Sequence, residues 1–203
     1  MKLALIGATG NVGAKILAEA LDRGHQVTAI ARNVEKLPAR PTLTAKRGDV
    51  ADQVGLAKLL AGHDAVISSV HFSASDPQKL IGAVKTAGVK RYVVVGGAGS
   101  LEVKPGAQLV THPSFPAANK GEAHKGRDFL TLLRGEDELE WTFLSPSAVI
   151  APGERTGKFR LGGDQLLVDG NGESKISQED YAVALIDEVE QPRHVRRRFT
   201  VGY

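Results

Sequence analysis

The sequence predicts a doubly wound α/β fold, a parallel sheet with helices on both faces, and three observations point that way. Short apolar runs alternate with stretches of helical periodicity through the first two-thirds of the chain. The runs LALIGA, DAVISSV and RYVVV are continuous rather than alternating, as in strands covered on both sides. Between the first run and the first helical stretch stands GATGNVG, with glycines at Gly7, Gly10 and Gly13. A glycine turn joining strand to helix belongs to such folds.

Each element follows from local signals. Residues 3–8 read as a buried strand. Residues 11–24 read as a helix, with Val12, Ile16, Leu17, Ala20 and Leu21 on one face and Gly24 closing it. Strands are expected at 27–31 and 43–46, a helix at 52–61 with Leu56, Leu59 and Leu60 inward, and a strand at 64–70. Ser75-Asp76-Pro77 starts the next helix, because aspartate caps and proline suits the first turn. That helix runs to Gly88 and leads into a strand at 91–95. A helix over 117–134 and a strand at 141–144 follow, then a strand at 165–168, a helix at 177–189 and a last strand at 199–201.

Two stretches break the rhythm. Residues 98–116 contain Pro105, Pro113 and Pro116, and residues 146–164 are rich in glycine and proline. Long irregular connections in a compact domain are commonly binding loops. Both follow strands, so both are expected at the carboxyl edge, where open α/β sheets take ligands. Without repeat, low-complexity tract or linker, residues 1–203 read as one domain, with 146–176 a small C-terminal substrate-side extension.

Composition excludes several chemistries. The chain has no cysteine, hence no disulfide, thiolate zinc site or cysteine nucleophile. Its histidines lack paired ligand spacing, so no metal site is expected. No apolar run approaches the roughly 18 residues of a membrane span. The amino terminus shows no signal-peptide cleavage region, so a cytoplasmic protein without membrane contact is expected. Net charge is +3, with one dense basic cluster at Arg193, Arg196, Arg197 and Arg198. No aromatic residues interleave it, and it reads as a solvated edge rather than a nucleic-acid surface.

The glycine turn carries the chemistry. Gly7 permits a sharp turn, Gly10 lets backbone approach a pyrophosphate, and Gly13 lets the helix pack closely on the sheet. The N–H groups opening the helix at Asn11, Val12 and Gly13 then favour an anion, and Thr9 and Asn11 can add side-chain bonds. A plain tight turn is the alternative. The second strand ends TAIARN, placing Arg32 where a dinucleotide site often carries an acid. A guanidinium there suits a 2′-phosphate, which favours NADP(H) with NAD(H) possible; a solvent-facing arginine is the alternative. Asp49, beside Val50, can accept from an adenine amino group or merely cap the helix at Asp52. Ser68, Ser69 and Val70 should border the cofactor ribose.

GATGNVG, the arginine after strand two, RGDV, DAVISSV and RYVVVGGAGS together resemble the atypical short-chain dehydrogenase/reductases. Within them the similarity is to the NAD(P)H-binding, flavin-reductase-like group, and it extends through LSPSAVI and KISQEDYAVALIDEVE. The resemblance implies a Rossmann-type sheet and NAD(P)-linked redox chemistry. The chain departs from most such enzymes in lacking their tyrosine with a lysine four residues on. Its tyrosines are Tyr92, Tyr181 and Tyr203, and the first two are followed at that spacing by Gly96 and Leu185. Where biliverdin reductase B of this group carries a threonine and a serine, this chain reads Gly96-Gly97.

A flavin or quinone can take its proton from water, which agrees with the missing pair. Gly96, Gly97 and Ala98 would let a flat ring approach the backbone, and Ser145, Pro146 and Ser147 should flank the nicotinamide. Candidate polar groups are Ser100, His71, His112, His124 and Lys120, the last also in the region where relatives approach the nicotinamide ribose. No residue is singled out as the catalyst. The expectation is an oxidoreductase, monomeric or homodimeric, acting on an aromatic small molecule. The competing expectation is a catalytically silent NADP(H)-binding sensor resembling NmrA-like regulators.

Overall fold

A computed structural model describes residues 1–203. In chain order the elements are β1 (Lys2–Ile6), α1 (Asn11–Asp22), β2 (Gln26–Ala31), β3 (Leu43–Arg47), α2 (Gln53–Leu60), β4 (Ala65–Ser68), α3 (Pro77–Thr86) and β5 (Arg91–Val95). Then come β6 (Glu102–Lys104), β7 (Ala107–Gln108), α4 (Lys120–Arg134), β8 (Glu140–Ser145), β9 (Val149–Ala151), β10 (Arg160–Gly162), β11 (Lys175–Ser177), α5 (Gln178–Glu190) and β12 (Arg197–Gly202).

Eight strands form one sheet in the order β10-β12-β8-β5-β4-β1-β2-β3. All neighbours run parallel except β10, which pairs antiparallel to β12. The chain moves from β1 outward to β3, then crosses back to β4. The reversal opens a crevice between β1 and β4 at the carboxyl edge, where doubly wound sheets take ligands.

Strand side chains alternate between two cores, as the two-residue pleat requires. Leu3, Leu5, Ala65, Ile67 and Val93 face α1 and α5, while Ala4, Ile6, Val66, Tyr92 and Val94 face the layer containing α2, α3 and α4. Burial of each such leucine or isoleucine stabilises by about 1.5–3 kcal/mol. The α3 start works as expected: Asp76 accepts from the Gln78 and Lys79 amides, with Pro77 in the first turn.

Three expectations need correction. The strand expected at 165–168 reduces to a single bridge from Gln165 to Glu102, and the edge strand lies earlier, at β10. The two irregular stretches are partly ordered: β6 and β7 form a hairpin, and β9 pairs with β11. Residues 152–157 fold back over α1 and α5, through Arg155 on Glu19 and Thr156 on Asp180.

The arginine cluster is an exposed edge at Arg193, Arg196 and Arg197, as expected, but not at Arg198. Arg198 is buried, and its Nε donates to Asp164 Oδ1 at 2.7 Å. Arg196, at φ 54°, donates to the Leu139 and Asp137 carbonyls. Arg198 takes the inward parity of β12, which charge density alone did not report.

Candidate functional site: a glycine turn at the sheet crevice

The turn after β1 is built by exclusion of side chains. Gly7 has φ +82°, and a Cβ there would lie 2.1 Å from the Ser69 carbonyl oxygen. At Gly13 a Cβ would meet the Gly7 oxygen at 2.2 Å. Gly7 N–H donates to the Ile30 carbonyl at 2.9 Å and Gly10 N–H to the Gly7 carbonyl at 3.1 Å. The turn is thus clamped between the ends of β2 and β4. Ser69 and Val70 form its far wall, half-buried.

Above this clamp the backbone is open. The first α1 bond is Ala14 N–H to the Gly10 carbonyl, and the amides of Asn11, Val12 and Gly13 find no acceptor within the chain. No acidic residue stands in the first turn of α1. Thr9, Gly10 and Asn11 are exposed there, and a Cβ at Gly10 would sit 3.4 Å from its nearest neighbour. Gly10 is therefore not required by packing. Free amides at the positive end of a helix, next to a position kept clear of side chains, fit a diphosphate.

The rest of the rim follows the strand order. Arg32 is exposed immediately after β2; nearby, Arg40 already pairs with Asp22 and Arg47 with Glu35. Asp49 is exposed after β3, its Oδ1 accepting from Ala51 N–H at 2.9 Å, while α2 is capped by Asp52 instead. Val50 packs on the α2 and α3 core.

Several expected contact residues are engaged elsewhere. Ser68 points into the sheet layer, its Oγ 2.9 Å from the Tyr92 hydroxyl. Ser145 Oγ donates to the Gly97 carbonyl at 2.9 Å, and Ser147 Oγ to the Val201 carbonyl at 2.9 Å. Both serines and Pro146 are buried. Ser100 is buried with its Oγ 3.3 Å from Arg198. These side chains shape the shelf from beneath, leaving Gly96, Gly97 and Ala98 half-buried above them. At Gly96 a Cβ would strike the Phe143 ring at 2.4 Å, so this glycine is dictated by packing on β8.

The side chains left free are few. Lys120, the first residue of α4, is exposed, and His124 is half-buried one turn on. His112 lies exposed in the loop after β7, bonded to Ser114. His71 is exposed directly after β4, with Nδ1 3.5 Å from Glu122 Oε1. Glu122 was not visible as a site residue in the sequence. It accepts from the Phe72 and Ser73 amides at 2.6 and 2.9 Å. These bonds hold its carboxyl below the ordinary range although burial pushes the other way.

None of the three phenols reaches the rim. Tyr92 and Tyr181 are fully buried, and burial pushes both far up from the ordinary tyrosine range. Tyr181 donates to the Leu144 carbonyl at 2.6 Å. Tyr203 meets Ser177 and Asp180 at the start of α5. A tyrosine that exchanges protons in catalysis needs the opposite shift and an open path. Two grooves elsewhere, about 560 Å³ beside Leu37 and Leu43 and about 460 Å³ around Arg134 and Arg197, do not touch the glycine turn.

Residues 7–192 match the family described as NAD(P)H-binding. The chain belongs to this family, a branch of the atypical short-chain dehydrogenase/reductases. Three solved structures are similar over the whole chain, and their names are provisional assignments. A Burkholderia pseudomallei protein named as exported is 48% identical, with both chains fully covered and a TM-score of 0.91. A Bacteroides thetaiotaomicron protein named as an epimerase is 42% identical, with all of this chain and 96% of that one covered and a TM-score of 0.96. A Streptococcus pneumoniae protein named as an NADH-flavin reductase is 36% identical, covering 100% and 99%, with a TM-score of 0.85. A distant short-chain dehydrogenase/reductase from Veillonella parvula, 18% identical with a TM-score of 0.81, shares the fold and was solved with NADP. The protein is thus an NAD(P)H-binding member of an oxidoreductase-like group.

Proposed function

We propose that this protein is an NADPH-preferring oxidoreductase acting on a flat conjugated acceptor such as a flavin or a quinone. The observation that carries the reading is the fate of the phenols: a shelf of Gly96, Gly97 and Ala98 with no tyrosine able to serve a carbonyl or alcohol. Conjugated rings need no tyrosine, since water can supply their proton. The name of the Streptococcus relative supports this class, and the NADP bound to the Veillonella relative supports the phosphorylated coenzyme.

Bound nicotinamide would supply the hydride. The chain's own residues would do the rest. The amides of Asn11, Val12 and Gly13 would hold the diphosphate, with Thr9 and Asn11 beside them. Arg32 would pair with a 2′-phosphate, and Asp49 would accept from the adenine. The shelf beneath would be fixed by Ser145 on the Gly97 carbonyl, so that the reacting rings are held in register.

Mixing purified protein with NADPH and, separately, FMN, riboflavin and simple quinones, while following nicotinamide absorbance, tests the proposal. Turnover on at least one acceptor is expected. Tight NADPH binding with no turnover would instead make the protein a sensor of NmrA-like type. We also propose a cytoplasmic location, supported by the absence of cysteine and by a structure with no helix long and apolar enough to cross a membrane. Recovery in a periplasmic or secreted fraction, in line with the Burkholderia relative's name, would overturn it.

A further inference from the structure

Three residues after β4 fold into a short turn that the sequence does not explain, Phe72–Ala74. Its interior anchor is Phe72, which stacks on Phe143 with centroids 6.1 Å apart and meets Phe129 edge-on at 5.9 Å. Phe72 also lies 3.5 Å from where a Cβ on Gly97 would be, so the turn borders the shelf after β5. Its exterior anchor is Glu122, in the first turn of α4. One carboxylate takes the Phe72 and Ser73 amides and still lies 3.5 Å from His71 Nδ1.

Two backbone bonds would suffice to hold the turn. The imidazole is the added feature. Nδ1 lies 3.5 Å from a carboxylate that two amides hold in place, while the rest of the imidazole is open to solvent. Of the free rim side chains, only His71 has a carboxylate behind it.

We propose that His71 is the proton donor to the acceptor and that Glu122 is the residue that positions it; this rests on the reductase reading above. The step balances. The acceptor ring gains two electrons and one hydrogen as hydride from the reduced nicotinamide, which is oxidised. A carbonyl oxygen of a quinone, or a ring nitrogen of a flavin, gains a proton as the His71 Nε2–H bond breaks. The neutral imidazole regains its proton from water, which its exposure permits. Water can serve without the histidine, so removal slows the reaction and does not abolish it. Positioned donors are typically worth 10²–10⁴-fold; for a group this open to solvent we expect the lower end.

The test compares wild type, His71→Ala and Glu122→Gln with NADPH and a simple quinone, alongside coenzyme affinity by calorimetry. Both variants are expected to bind NADPH as wild type does and to lose about 100-fold in kcat. Free imidazole is expected to restore much of the loss in His71→Ala, which a merely structural role would not allow. Independently of turnover, the ¹⁵N resonance of His71 Nδ1 is expected to move in Glu122→Gln. Wild-type kcat in His71→Ala, no rescue by imidazole, or an unmoved ring spectrum would each overturn the proposal while leaving the reductase reading in place. A wild-type protein that binds NADPH and reduces nothing would overturn both.

Discussion

Asp164 and Arg198 form a pair of unequal exposure, and the inequality predicts which partner is worse to lose. Asp164 Oδ1 accepts from Arg198 Nε at 2.7 Å and from Arg134 at 3.2 Å. The Arg198 side chain is 3% exposed and that of Asp164 58%. Burial holds Arg198 below the ordinary arginine range, opposed chiefly by its bond to Asp164. In Asp164→Ala the guanidinium keeps its charge and its burial, with only the Ser100 and Ser145 oxygens, 3.3–3.5 Å away, to meet it. Breaking a fully buried pair costs about 3–5 kcal/mol; water on the exposed Asp164 side and the serine contacts put Asp164→Ala at the low end, near 3. At about 2–4 °C per kcal/mol for a domain of this size, Tm should fall by about 6–12 °C. Arg198→Met fills similar volume and leaves a carboxylate that water and Arg134 can reach. It loses little more than one charge-assisted bond, about 1.5 kcal/mol, or about 3–6 °C. Thermal melts and urea titrations of the two variants decide the matter. If Arg198→Met proves as costly as Asp164→Ala, the desolvation argument is wrong.

The other predictions address the glycine turn, the coenzyme and acid stability. Gly13→Ala forces a methyl to 2.2 Å from the Gly7 oxygen and should cost about 3 kcal/mol in urea titration. Gly10→Ala meets nothing nearer than 3.4 Å, so its stability should change by less than about 0.5 kcal/mol. Its NADPH affinity by calorimetry should nonetheless fall about tenfold or more, and intact affinity would remove Gly10 from the site. Arg32→Glu should weaken NADPH binding far more than NADH binding; equal losses would count against a 2′-phosphate contact. Glu19 sits on α1 with its carboxyl held below the ordinary range, first by Arg155 and then by Arg23, against its burial. Its folded value lies below its unfolded one, so this stabilisation is complete above the ordinary glutamate range, near 4.3, and lost as pH falls through the lowered value. Tm measured from pH 6 to 3 should therefore drop less in Arg155→Ala than in wild type, and parallel curves would refute the linkage.

The parts legible in the sequence are those where one residue type has one physical reason to be present. Continuous apolar runs marked both-face burial, and Asp76-Pro77 marked a helix start that the structure builds as expected. What escaped was mostly strand parity and long-range pairing. Ser68 shares parity with Val66, and Val66 faces the layer containing α2 and α3, so Ser68 faces Tyr92 rather than the rim. Ser145 likewise shares parity with Phe143 and turns under Gly97. Parity was available in the sequence, but which parity faces the ligand depends on where each strand stops. The β10 strand and the Glu102–Gln165 bridge depend on partners about 40 to 60 residues away, which local pattern does not encode. Glu122 had no local signal, since its role is set by a turn 50 residues earlier.

The same distinction bears on how function is read from the glycines. Gly7 and Gly13 are demanded by the clamp between β2 and β4, and Gly96 by the Phe143 ring. Those residues would be needed to fold this sheet whether or not it bound anything. Gly10 is different: packing leaves room for a methyl, so the clamp does not demand glycine there, and on the proposed reading a diphosphate does. Arg32, Lys120, Thr9 and Asn11 are likewise exposed, with no side-chain hydrogen bond to the rest of the chain. His71 is exposed too, with its Nδ1 3.5 Å from Glu122. Function in this fold is reported by what the folded chain holds ready and does not itself use.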